Sequence, residues 1–328
     1  MTSARVFPKP INHIQEWTAS SVDEQLTRLN VRSLEGSSPF EYLFYSDSLP
    51  RRNDGRLLNS ILERYQHLEQ GGWWCSGIDL LTGQEDIWGC FKPSQPRHSG
   101  ETRKLIKYEH PPKTPTGLFA LRVPFHLWQR IAERNDFTIL PTDLDHNQPD
   151  LGFWQWLISH PSIPLCITEG AKKAGALLTA GYAAIALPGI NGGYRIRRDA
   201  QGNRIGKSDL IPQLRKLATP ERPIYIVFDQ DSKPNTIKAV NAAIRRMGYL
   251  LNQAGCPVKV ITWDAQLGKG VDDLIADQGQ KTFEQVYQRA LPLDTWKAKS
   301  LTQLTYRANL KVNCRYLQQL PIPDTEIG

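Results

Sequence analysis

Two kinds of apolar pattern divide this chain. From about residue 160 the apolar positions come in short continuous runs: "PLCITEG" from residue 164, "YAAIALPG" from 182, "IYIVFDQD" from 224 and "PVKVITWD" from 257. Continuous runs of this length predict strands buried on both faces. Between them lie segments with helical spacing. They are "AKKAGALLTAG" closed by Gly181, "SDLIPQLRKLAT", and the long "NTIKAVNAAIRRMGYLLNQAG" closed by Gly255. A short helix follows in "GVDDLIADQG". Strands alternating with helices imply βαβ crossovers and a mainly parallel sheet flanked by helices.

The first part of the chain lacks that alternation. "WWCSGI", a turn in "LLTGQED" and "IWGCF" read as a hairpin. "SVDEQLTRLNV", "RLLNSILERYQHLEQGG" (ending on Gly71) and "HLWQRIAERN" read as helices. The expected organisation is an α+β N-terminal domain over residues 1–158, an α/β domain over 159–295 and a C-terminal extension over 296–328.

Composition narrows this little. The chain has 328 residues, 40% hydrophobic, with nine Trp, enough for real cores. A formal net charge of +7 favours an anionic partner such as nucleic acid, and many ordinary enzymes share it. Cys75, Cys90, Cys166, Cys256 and Cys314 form no C-x-x-C pair, which argues against a zinc ribbon and for free thiols in a reducing cytoplasm. The seven histidines show no ligand spacing. "MTSARVFPKP" lacks a signal core, and no apolar run is long enough to span a membrane.

The chemistry sits at the strand ends. In an open parallel sheet, ligands bind outside the carboxyl ends of the strands. Glu169 ends one apolar run, Asp229 and Asp231 end another, and Asp264 with the pair Asp272 and Asp273 follows the next. Residues i and i+2 of a strand share a face, so Asp229 and Asp231 can reach one point. If the first and third strands are neighbours, Glu169 joins them. Clustered carboxylates repel unless a cation neutralises them, and an all-oxygen set selects Mg²⁺ or Mn²⁺. The structural alternative is helix capping: Glu169 and Asp231 both stand just before helices.

Glu at one strand end followed by D-x-D at another resembles the Toprim domain of bacterial-type primases, type IA and II topoisomerases and some nucleases. "GKGVDDLI" is similar to the G-K-acidic motif after the last core strand of the primases. "LIKYEHPPKTPTG" resembles their K-Y-x-x-x-P stretch, and "IWGCFKP" stands where they carry a G-F-G-R-like strand. Together these look like a primase-like replication protein of cyanobacterial plasmids. The resemblance implies catalytic residues Glu169, Asp229 and Asp231, joined by Asp272 and Asp273 as metal residues, holding two Mg²⁺ or Mn²⁺ ions. It implies nucleic-acid or nucleotide contacts from Lys92, Lys104, Lys107, Tyr108, Lys113 and Lys269, with Arg97 and Arg103 on the same path; Lys172, Lys173 and Lys233 read equally as phosphate contacts or as surface lysines at helix starts, and Arg195 as a nucleic-acid contact or part of a surface loop.

The implied activity is primer synthesis on single-stranded DNA from nucleoside triphosphates, in plasmid or mobile-element replication. A replicative helicase in trans is a further candidate partner. A Toprim-type nuclease and a non-catalytic DNA-binding initiator are the rivals. A topoisomerase is disfavoured, because nothing here supplies a nucleophilic-tyrosine domain. One departure stands out. Where the primases carry E-G-x-x-D, this chain has Glu169-Gly170-Ala171-Lys172-Lys173, a lysine in place of the last acid. "GNRIGKSD" is one residue too short for a phosphate loop and follows no apolar strand, so with Arg195, Arg197, Arg198, Arg204 and Lys207 it reads equally as a basic surface hairpin or as a nucleic-acid contact. The Trp pairs at 73/74 and 154/156 read as core.

Overall fold

The computed structural model describes residues 13–100, 103–144 and 152–300. Cys314, His146, the start of the chain and all of the C-terminal extension beyond residue 300 lie outside them.

The first half is built on an antiparallel sheet in the order β1–β2–β3, formed by Val31–Leu34, Gly72–Ile78 and Glu85–Pro93. Helices α1 (His13–Thr18) and α2 (Glu24–Asn30) precede it, and α3 (Ser38–Leu43) and α4 (Asn59–Tyr65) lie between β1 and β2. The helix expected up to Gly71 is α4 followed by a 3₁₀ turn over Gln66–Gln70. Strands β4 (Arg97–His98) and β5 (Leu105–Ile106) pair on their own, and α5 (Phe125–Arg134) and α6 (Gly152–Ser159) lead into the second half.

The second half carries a five-stranded sheet in the order β12–β11–β10–β6–β7. Strands β6 (Leu165–Glu169), β7 (Ala184–Leu187), β10 (Ile224–Ile226) and β11 (Val258–Val260) are parallel, and the edge strand β12 (Leu291–Pro292) is antiparallel. The crossovers include α7 (Ala171–Thr179), α8 (Pro212–Leu217) and the 20-residue α9 (Pro234–Gln253). Helices α10 (Val271–Gln278) and α11 (Gln280–Gln288) follow β11. The fold is thus α/β, a parallel sheet flanked by helices, preceded by an α+β region. The basic hairpin is β8 (Tyr194–Arg198) paired with β9 (Arg204–Leu210). β9 takes Ser208–Leu210 out of the expected helix, which begins only at Pro212.

An extended segment at 118–121 joins the two sheets. Phe119 exchanges backbone hydrogen bonds with Ala186 of β7, and Ile78 N–H of β2 donates to Ala120 O at 2.7 Å. A continuous core follows, from Trp17 and Trp73 through Phe119 and Trp154 to Ile167, Ile226 and Trp296. Trp296 is buried there, so residues 293–300, which are helical, pack on the sheet. Arg222, fully buried, donates to the carbonyls of Leu157, Ile163 and Leu217, which satisfies a charge that would otherwise be costly there. The cysteines among the described residues are buried free thiols. Among the described residues no helix is long and apolar enough to cross a membrane.

Candidate active site

The sheet order decides where the chemistry can sit. From β6 the chain moves to β7 on one side, then returns to β10 on the other. The strand order reverses between β6 and β10, and a crevice opens at their carboxyl ends. β6 and β10 are direct neighbours, with Ile226 opposite Ile167, and the pairing continues as Val227 N–H donates to Ile167 O. Glu169 ends β6 in that crevice. Gly170 follows at φ +89°, a backbone angle L side chains rarely adopt, and turns the chain directly into α7.

The two lysines opening α7 diverge. Lys172 reaches back to α1, with Nζ 3.2 Å from Glu16 Oε1 and 3.3 Å from Ser20 Oγ. Lys173 reaches forward, and its Nζ lies 2.8 Å from Asp229 Oδ1, with the side chain 19% exposed. Asp272, in the first turn of α10, is 6% exposed, and its Oδ1 has no hydrogen-bond partner. Gly270 permits this closeness: a Cβ there would sit 2.3 Å from Asp272 Oδ1 and 2.6 Å from Lys173 Cε.

Electrostatics tie these groups together. Burial pushes the Glu169 carboxyl up, and the Asp229 charge adds to this while Lys173 and Lys269 pull it down. Burial also raises Asp272, against the pull of Lys173. Burial would lower Lys173, but the adjacent Asp229 carboxylate, with Asp272 and Glu169 beyond, holds it above the ordinary lysine value. Glu169, Lys173, Asp229 and Asp272 therefore form one interacting group.

Asp231 stands slightly apart. Its Oδ1 accepts from Lys233 N–H at 2.7 Å, in the turn that opens α9, and its Oδ2 lies 3.4 Å from Lys269 Nζ. That backbone bond is the chief reason its carboxyl is held down, helped by Lys269. Asp273 faces the helix end, where its Oδ2 accepts from Gly270 N–H at 2.9 Å. The acids wall off two cavities. A cavity of about 150 Å³ is lined by Glu169, Lys173 and Asp272 with Trp73, Tyr108 and His110 of the first half. A cleft of about 540 Å³ on the other side is lined by Asp229, Asp231 and Asp264 with Trp263 and Trp296.

The basic residues fall into two groups. Lys92 on β3 pairs with Glu16 at 2.7 Å, lies over the Trp73 ring and shares a cavity of about 290 Å³ with Lys107. Tyr108 meets Trp73 edge-on beside Glu169 and Asp272. Lys104, Lys113, Arg195 and Lys233 are exposed outside these three cavities, and Arg195 is anchored on Thr116 O. Arg97 does not join the expected basic path. It turns inward and holds Glu109 through two hydrogen bonds, at 2.7 and 3.0 Å. Trp74, Trp154 and Trp156 are core, whereas Trp73 is buried yet lines both first-half cavities. Sequence reasoning missed Glu16. Its carboxylate also accepts from Trp73 Nε1–H at 3.0 Å, and nothing local in "HIQEWT" marks it.

The donor chemistry fits a hard divalent cation: carboxylates converge, and a buried Asp272 oxygen lacks a partner. The spacing leaves little room. Among the described residues no three His, Cys, Asp or Glu side chains group closely enough to hold one ion, and lysines partner two of the acids.

Comparison with known proteins adds the following. Residues 153–282 match a family model described as a domain of unknown function, DUF3854. An uncharacterized protein of Picosynechococcus sp. is 50% identical over 309 residues, 93% of this chain and 30% of that protein. The chain therefore spans about 30% of the length of this relative. The Aquifex aeolicus primase, crystallised with its zinc-binding and RNA polymerase domains, is similar in structure at 16% identity and a TM-score of 0.49, over 94% of this chain and 61% of that one. A DnaG primase catalytic domain bound to single-stranded DNA matches at 12% identity and a TM-score of 0.46, over 89% and 76%. The RNA polymerase domain of Mycobacterium tuberculosis primase DnaG, in complex with a double-stranded DNA oligomer carrying a 6-nucleotide overhang, matches at 15% identity and 0.42, over 85% and 73%.

Proposed function

We propose that this chain is a Toprim-type primase core, a nucleotidyltransferase that joins nucleotides on a single-stranded DNA template. The observation that carries the reading is the convergence of Glu169, Asp229 and Asp272, with Asp231 beside them, where the strand order reverses between β6 and β10. The replicon served would be a plasmid or other mobile element, as the sequence resemblance implies, and a helicase in trans remains a proposed partner.

The residues divide the work by chemistry. Mg²⁺ or Mn²⁺ is the proposed cofactor: Glu169, Asp229 and Asp231 would hold it only on exchanging the Lys173 and Lys269 partners of the two aspartates, and it would supply charge neutralisation for the transferring phosphoryl group. Lys92 and Lys107, in one cavity of the first half, supply cations for template or triphosphate oxygens. Tyr108 and Trp73 offer aromatic edges beside the acids, where a base can pack. Burial of Glu169 and Asp272 keeps bulk water from screening their charges.

A second reading has its own observation. Lys173 and Lys269 already partner Asp229 and Asp231, an arrangement that a replication-initiation protein binding DNA without chemistry would also show. The test incubates the protein with single-stranded DNA, labelled ribonucleotides or deoxynucleotides, and Mg²⁺ or Mn²⁺, beside Asp229→Asn. End-labelled template runs on the same gel. New short products from wild type alone establish synthesis. Shortened template without new product makes the protein a nuclease. Neither, with retained DNA binding, leaves the initiator.

A further inference from the structure

The β8–β9 hairpin is tied down at its base and free at its tip. At the base, Arg195 donates to Thr116 O of the first half, Arg246 of α9 donates to Ser208 Oγ at 2.5 Å, and Asp209 pairs with Arg215 of α8. Ser208 and Leu210 are buried there. From Arg204 to Lys207 every residue is exposed. The register shifts between the pairs Arg195–Asp209 and Arg197–Ile205, and Gly206 sits in that irregularity at φ +71° with open space around it. A bulge of this kind bends the strand and re-aims its end. The tip is thus presented from a fixed base, which lowers the ordering cost of binding a partner.

Charge and shape say what partner fits. Between residues 197 and 207, Arg197, Arg198, Arg204 and Lys207 stand against a single acid, Asp199. Asp199 is committed to the turn: its Oδ1 accepts from Gln201 N–H at 3.0 Å and Asn203 N–H at 2.7 Å, and its Oδ2 from Asn203 Nδ2–H at 3.2 Å. Among the described residues no acid pairs with Arg198, Arg204 or Lys207. Unpaired cations on a protruding ribbon suit the phosphates of a nucleic acid. The same stretch holds no aromatic residue, whereas single-strand binders join their cations to aromatic stacking platforms. A two-stranded antiparallel ribbon also fits the major groove of B-form DNA, about 12 Å wide.

We propose that the β8–β9 hairpin is a binding element for double-stranded DNA, with Arg204 and Lys207 on the phosphate backbone and Arg198 beside them. The hairpin lines none of the cavities described above. Its role goes beyond the proposed chemistry, since a primase and a non-catalytic initiator would use it alike.

The test measures binding, not products. Fluorescence anisotropy follows the full chain on a short labelled DNA duplex, and on one of its single strands, across a series of KCl concentrations. Wild type is compared with two double variants, Arg204→Gln with Lys207→Gln and Arg204→Lys with Lys207→Arg. Both positions are exposed, so all three proteins should melt at the same temperature. The neutral variant should lose on the order of 10-fold in duplex affinity at ~0.1 M salt, and its slope of log affinity against log salt should become shallower by about 2, for two lost phosphate contacts. Its single-strand affinity should stay at the wild-type level, and the charge-keeping variant should follow wild type on both probes. Unchanged duplex affinity and slope in the neutral variant would overturn the proposal and leave a solvated hairpin. An equal loss on both probes, or a larger one on the single strand, would overturn the assignment to duplex. The assay contains no nucleotide and no divalent ion, so its outcome is read apart from that of the primer-synthesis test.

Discussion

Two lysine–aspartate pairs stand beyond the carboxyl ends of the sheet, and they are not equivalent. Lys173–Asp229 is 2.8 Å long and both side chains are 19% exposed. Lys269–Asp231 is 3.4 Å long, and Lys269 is 62% exposed. The first is fixed by the packing of α7 on α10. In the second only the lysine is solvated: Asp231 is 11% exposed and also accepts from Lys233 N–H, so water and salt can replace the ammonium. A charge pair therefore organises this site only where tertiary packing removes the alternative of solvation.

The largest effect that would break the comparison is on catalysis. Asp229→Asn should lower primer synthesis by about 100-fold or more, as removal of a group stabilising developing charge does, read as product on a denaturing gel. Synthesis at the wild-type level would place the chemistry elsewhere.

Stability comes next. Lys173→Met strands Asp229 beside two other buried carboxylates and should cost about 2–4 kcal/mol in urea unfolding. Lys269→Met should leave the midpoint unchanged within error. Equal losses would erase the distinction between the pairs.

A smaller effect is expected from Gly270→Ala. The added methyl meets Asp272 Oδ1 and Lys173 Cε, so both side chains must be displaced from their paired positions, at about 1–3 kcal/mol. An unchanged midpoint would show that the two side chains can move aside freely.

The subtlest prediction concerns pH, with chelator present. Asp272 has a raised carboxyl in the fold, so its contribution is fully present below the ordinary carboxylate range, about pH 4, and is lost as pH rises. Asp231 has a lowered one, so its contribution is present at neutral pH and lost as pH falls through its folded value. Asp272→Asn should therefore gain melting temperature relative to wild type as pH rises above about 4, whereas the deficit of Asp231→Asn should be constant above about pH 4 and shrink as pH falls below it. Parallel curves for both variants would contradict the opposite environments of the two acids.

Much of the second half was legible from its residues. The apolar runs at β6, β7, β10 and β11 state their burial directly, and acids just past them fall at strand ends. The helix expected over "SDLIPQLRKLAT" lost its start because Asp209 and Leu210 pair with Arg195 and Tyr194 in the β8–β9 hairpin. α11 went unread, because "QKTFEQVYQ" shows a single buried residue, Phe283. In the first half the hairpin was legible, but Arg97 was misassigned. A basic residue in a polar stretch reads as exposed until Glu109 is known to lie beneath it.

What the sequence by itself determined was local: which runs must be buried, which glycines permit the turns, and that carboxylates follow two buried strands. These depend on transfer from water and on backbone sterics, which act over a few residues. Only the tertiary structure decided that β6 and β10 are neighbours, that Lys172 and Lys173 part, and that Glu16 reaches Lys92 across most of the first half. Those outcomes depend on which surfaces pack together, and a single buried ammonium finds its carboxylates only once the sheet, α7 and α10 have closed around it.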